Sequence, residues 1–105
     1  MRVLFDQGTP EPLRHALTAQ VVSTAYEMGW LALSNGDLLD RAEAQFDAWV
    51  TTDQNLRYPQ NLAARRLAIF VLPFASWPKL QRHLPRIVSA IERLKPGDYV
   101  ELALP

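Results

Sequence analysis

The chain has 105 residues, 49% hydrophobic and 21% charged, a size and composition that fit one globular domain with a modest core. Eleven basic and eleven acidic side chains give a net charge of zero, and cysteine is absent, which excludes a disulfide framework, a cysteine-based zinc site and a thiol nucleophile. No apolar run approaches the roughly 20 residues that span a bilayer, and Asp6 interrupts the first apolar stretch too early for a secretory leader. A cytoplasmic protein with no membrane contact is therefore expected.

Residues 2–5, RVLF, read as a first strand. GTPEPLRHAL then reads as a turn leading into a short helix, with Thr9 as N-cap and Pro10 at the first helical position. QVVST is β-branched enough for a second strand, and AYEMGW reads as a helical turn ended by Gly29. In SNGDLLDRAEAQ, the spacing puts Leu38, Leu39 and Ala42 on one helical face, with Asp37 and Asp40 near the positive amino end. FDAWVTT is a third strand with only partial alternation. LAIFVL is a continuous apolar run of the kind expected for a strand covered on both faces. SWPKLQRHLPRIVSAIERL carries Leu80, Leu84, Ile87, Val88, Ile91 and Leu94 at three-and-four spacing, a long amphipathic helix that Pro85 should kink or split. PGDYVELAL is a turn and a last strand suited to an edge. Strands alternating with helices predict a mainly parallel α/β sheet within a single unit over residues 1–105.

Two of these strands end on a carboxylate: Asp6 follows RVLF, and Asp53 follows FDAWVTT. In an open parallel sheet the carboxyl ends of the strands share one edge, and ligands bind there where strand order reverses. If the two strands are neighbours, the two acids repel unless a cation or a proton lies between them. Mg²⁺ or Mn²⁺ suits such a pair, because hard cations take oxygen ligands and Mg²⁺ keeps places for water and phosphate. Either acid alone also suits a turn cap. Charge is unevenly distributed as well. Eight of the eleven acids lie before residue 56 and eight of the eleven bases after it, an acidic half beside a basic half that could meet phosphates.

VLFDQGTPEPL, the strand-Asp of VTTDQNL about 45 residues further on, the intervening LSNGDLLDRAEA and the following LAIFVLP together resemble the short PIN-like domains. These are small relatives of the PIN nucleases, a group that includes VapC-type toxins of toxin–antitoxin pairs. The resemblance covers residues 1–72. It implies a PIN-like three-layer α/β/α sandwich with a mainly parallel sheet and an acidic pocket at the strand ends. It further implies that Mg²⁺ or Mn²⁺ bound there cleaves RNA through a metal-activated water. By position, Asp6 and Asp53 are the implied metal-binding catalytic acids, and Thr51 of the T-x-D segment supports them. An antitoxin protein and a second copy of the chain are the implied partners, with the long helix and LAIFVLPF offering apolar surface for pairing.

The chain departs from that pattern at two acids. Asn35 stands where the middle helix usually starts with aspartate, and Asn55 stands two residues after T-x-D. An amide still offers a carbonyl oxygen but brings no charge. Asp37 is then the candidate third acid of the catalytic set, with Asn35 and Asn55 as further metal ligands and Asp40 as an alternative supporting acid. The competing expectation is a degenerate PIN-like module that binds RNA or a protein partner without cutting. Arg57, Tyr58, Arg65 and Arg66 follow Asp53 and are expected to receive single-stranded RNA. His15 and His83 lie in no recognisable nucleophile motif, no glycine-rich phosphate loop is present, and Trp30, Trp49 and Trp77 read as core or interface anchors.

Overall fold

Alternation along the strands decides the architecture. Val3 and Phe5, Ala48 and Val50, and Ala68 and Phe70 point to one side of the sheet, while Leu4, Trp49, Ile69 and Val71 point to the other, so two separate apolar cores form. The computed structural model describes residues 1–56 and 65–105. Its strands are β1 (Arg2–Phe5), β2 (Val21–Thr24), β3 (Ala48–Thr51), β4 (Ala68–Val71) and β5 (Tyr99–Glu101), in the order β2-β1-β3-β4-β5, with every pairing parallel. One core is closed by a 3-10 helix (Glu11–Ala16) with α3 (Trp77–Gln81) and α4 (Leu84–Glu92), through Leu13, Leu17, Leu80, Ile87 and Ile91. The other is closed by α1 (Ala25–Met28) and α2 (Asn35–Gln45), through Ala25, Leu38, Leu39 and Ala42. The result is the expected three-layer α/β/α sandwich around a parallel sheet.

Every residue of β3 and β4 is buried, because both strands are interior and covered on both faces; this is why the expected alternation in FDAWVTT is incomplete. For the same reason residues 67–72 offer no surface for pairing with a second copy, contrary to the expectation for LAIFVLPF. β2 and β5 form the edges. The β2 edge is covered in part by Arg14, whose guanidinium donates to the Val22 carbonyl (2.7 Å) and pairs with Glu27 (2.9 Å). Glu27 also completes a capping box with Thr24, and Gly29 at φ 76° ends α1 in the left-handed conformation that favours glycine.

The helix expected over residues 76–94 is two helices, broken at Arg82 and His83. Pro85 falls in the first turn of α4, where its missing N–H leaves no hydrogen bond unmade. Thr9 is a correction. The residue capping the 3-10 helix is Pro10, and the Thr9 hydroxyl instead turns back to Asp6 and the Val50 carbonyl. Among the described residues no helix is long and apolar enough to cross a membrane.

Candidate functional site

Strand order reverses at β1. The chain leaves β1 for β2 on one side, then crosses to β3 on the other. The crevice beyond the carboxyl ends of β1 and β3 is therefore the sheet's topological switch point, and Asp6 and Asp53 are the acids that follow those two strands. A cleft of about 270 Å³ opens there, lined on its polar side by Asp6, Gln7, Asn35, Thr52 and Asp53, with Trp30, Leu31, Leu33 and Leu38 forming an apolar wall.

Asp6 is held from three directions. Its Oδ1 accepts from the Gly8 N–H (3.1 Å) and the Thr9 hydroxyl (2.8 Å), and its Oδ2 accepts from the Thr51 hydroxyl. Burial pushes the Asp6 carboxyl above its ordinary value of 3.8, and the bonds from Thr51, Thr9 and Gly8 oppose that rise without cancelling it. The Thr9 oxygen also lies 2.9 Å from the Val50 carbonyl. With one proton, the hydroxyl serves one of these two acceptors at a time.

Thr51 is the joint between the two acids. It is fully buried, donates to Asp6 and accepts from the Asp53 backbone N–H (3.0 Å). The Asp53 side chain accepts at Oδ1 from the Asn55 N–H (3.0 Å), an Asx turn, and at Oδ2 from the Asn35 side-chain amide (3.4 Å). Gly8 completes the frame. A Cβ there would lie 2.7 Å from the Thr52 hydroxyl oxygen, so glycine lets the loop after β1 approach the loop after β3.

The sequence-predicted residues divide clearly. Asp6, Asp53, Asn35 and Thr51 come together. Asp37 does not line the cleft, and helix phase gives the reason: at 100° per residue it points about 160° away from Asn35, while Leu38 stays within about 60°. Asp40 lies about 140° from Asn35 by the same arithmetic, and its carboxylate pairs with Arg65 (2.8 Å). Neither supplies a third acid. Asn55 contributes its backbone N–H to Asp53, and its side chain is not part of the lining. Arg65 and Arg66 are also displaced. They precede β4, so they sit at the amino edge of the sheet, a strand length of about 13 Å from the acids. There Arg65 is pinned to α2 by Asp40 and Glu43, and Arg66 borders a larger hollow of about 740 Å³ with Glu43, Asp47 and Lys95. Arg57 and Tyr58 lie outside the described residues. Gly8 and Thr9 went unrecognised as parts of the site, although the run Asp6-Gln7-Gly8-Thr9 directly after a strand is itself a turn signal in which the carboxylate accepts from the following residues.

The donor set can be tested against a divalent ion. A carboxylate has about four acceptor positions. Asp6 uses three and Asp53 two, so both retain a free position toward the cleft. Turning the Asn35 amide over would present its carbonyl oxygen to the same space. Two carboxylates and one amide oxygen suit one hard cation whose other places go to water and phosphate. They do not suit a pair of ions, and among the described residues no group of three or more His, Asp or Glu side chains converges.

Fold and site together define an all-parallel α/β/α domain with a two-carboxylate cleft at its switch point. No protein-family model, curated protein or solved structure matches the chain.

Proposed function

We propose that the cleft is a one-ion site for Mg²⁺- or Mn²⁺-dependent hydrolysis of RNA, as the resemblance to the short PIN-like domains implies. The observation that supports it best is the meeting of Asp6 and Asp53 at the switch point, joined by one buried threonine. Asp6, Asp53 and the Asn35 carbonyl would hold the ion, which supplies activation of water and neutralisation of charge on the phosphodiester. Thr51 fixes the Asp6 carboxylate and the Asp53 backbone in one frame, which limits the reorganisation needed when a ligand enters. The apolar wall of Trp30, Leu33 and Leu38 reduces the water around the reacting group, and so strengthens every charge interaction there.

A second reading has its own support. The Asn35 amide donates to Asp53 and so partners that carboxylate without any cation, as suits a PIN-like module that binds RNA or a protein and cuts nothing. The toxin version, with an antitoxin partner or a second copy of the chain, rests on the resemblance alone.

The test is cleavage of a mixed, unstructured RNA in Mn²⁺ by the wild type, Asp6→Asn and Asp53→Asn. Metal-dependent cleavage that falls about 100-fold or more in both variants supports hydrolysis, on the scale of a disturbed metal site. Equal inertness of three folded proteins would favour the binding module.

A further inference from the structure

Among the described residues, Arg65 pairs with Asp40 and Glu43 of α2 and Arg14 with Glu11 and Glu27, while five of the cations outside those pairs lie along one tract. Lys79, Arg82, Arg86, Arg93 and Lys95 are all exposed on or beside α3 and α4, and Glu92 is the one acid between residues 79 and 95. Among the described residues none of these five cations has an ion-pair partner. The opposite side of the same helices is anchored, since Leu80, Ile87 and Ile91 are fully buried against the sheet. The helices therefore present charge outward and keep no apolar face for a bilayer.

Two further features accompany the charge. Phe74 and Trp77 are half-buried at the start of this tract, with the Lys79 ammonium 5.7 Å above the Phe74 ring, so aromatic surface is interleaved with cations. The tract also begins at the carboxyl edge of the sheet, on the face opposite the cleft's apolar wall. The Gln54 side chain donates to the Leu72 carbonyl, tying the loop that carries Asp53 to the segment that leads into α3. From there the cations continue along α4 to Lys95 at the amino edge of the sheet. Along α4, Arg86 to Arg93 covers about 10 Å of helical rise, room for more than one phosphate, with Lys79 and Arg82 on the preceding turn.

We infer that the outer surface of α3 and α4 binds the phosphate backbone of a single-stranded nucleic acid, with Arg82 and Arg86 as central contacts and Phe74 and Trp77 as stacking surface. Three of the five cations are arginines, whose planar fork matches phosphate oxygens in pairs. Cations interleaved with aromatic rings suit unstacked bases better than an acidic protein segment, which has nothing to stack. The surface goes beyond the proposed cleavage and does not depend on it.

The experiment is fluorescence anisotropy of an oligouridine of about 12 nucleotides, a site size suited to single-strand binders, titrated with the full chain in EDTA at several NaCl concentrations. EDTA separates this binding from chemistry in the cleft. Each single-strand phosphate contact contributes about 0.7 to the slope of log K against log salt, so Arg82→Gln/Arg86→Gln should lower the slope by about 1.4 and weaken binding about 25-fold at 0.1 M. Lys79→Gln/Arg93→Gln should give a comparable loss, which guards against a folding defect in the first variant. Binding that is unchanged in both double variants would overturn the inference and leave the cleft reading standing. Equal competition by polyglutamate would overturn it in favour of an acidic protein partner. Selective loss in the variants supports it whether or not the cleft cuts RNA.

Discussion

Thr51→Val removes one hydroxyl from the centre of the site and keeps the shape of the side chain. Two groups lose their partner at once. Asp6 Oδ2 loses a donor, where a hydrogen bond to a charged group is worth about 1.5–3 kcal/mol, and the Asp53 N–H loses an acceptor, worth about 1 kcal/mol. Thr51 is fully buried, so water cannot readily replace either bond. The expected loss is about 2–4 kcal/mol, a large part of the stability of a small domain. At about 4 °C per kcal/mol for a chain of this size, the melting temperature should fall by roughly 8–16 °C. Urea unfolding at neutral pH gives the free energy directly, with an unchanged m-value as the check that the denatured state is the same. Thr51→Ser is the control, because it keeps the hydroxyl and loses one buried methyl group, worth about 1 kcal/mol. A Val variant less than about 0.5 kcal/mol below wild type, or no worse than the Ser variant, would refute the claim that this hydroxyl joins the two acids.

Two more outcomes follow from the same geometry. Because the folded-state pKa of Asp6 is raised by burial, the folded chain binds more protons than the unfolded chain between 3.8 and the raised value. The Asp6 contribution to stability is therefore fully present below pH 3.8 and is lost as pH rises through the folded value. Asp6→Asn should remove that fall, so the stability difference between variant and wild type should shift in favour of the variant with rising pH, as read by urea unfolding at a series of pH values. Asn35→Asp should restore a third carboxylate at the cleft, raise the Mn²⁺-induced increase in melting temperature and lower stability without the ion, whereas Asp37→Asn should leave the Mn²⁺ effect unchanged.

The layers were legible because apolar patterning is a strong local signal. The run at residues 67–72 gave a covered strand, and Leu38, Leu39 and Ala42 gave the inner face of α2. The parallel sheet then placed Asp6 and Asp53 at one edge without further information, since both follow strands of the same direction. What failed was orientation. Asp37 and Asn35 are two residues apart in sequence but nearly opposite around a helix, so an acid near the helix start did not become an acid in the cleft. Arg65 and Arg66 follow Asp53 in sequence, yet they immediately precede β4 and so belong to the far edge. Thr9 has the local chemistry of an N-cap, yet a carboxylate and a carbonyl brought close by β1 and β3 claim its hydroxyl. Such competition between local and tertiary partners is invisible in a linear pattern.

The central claim is that Asp6 and Asp53 hold one cation at the switch point, and titration of the purified chain with Mn²⁺ by calorimetry tests it most directly. A single site is expected, lost in Asp53→Asn and kept in Asp37→Asn, with about 1.4 kcal/mol of added stability at ten times the dissociation constant. No binding at millimolar Mn²⁺, or binding that survives Asp53→Asn unchanged, would contradict it.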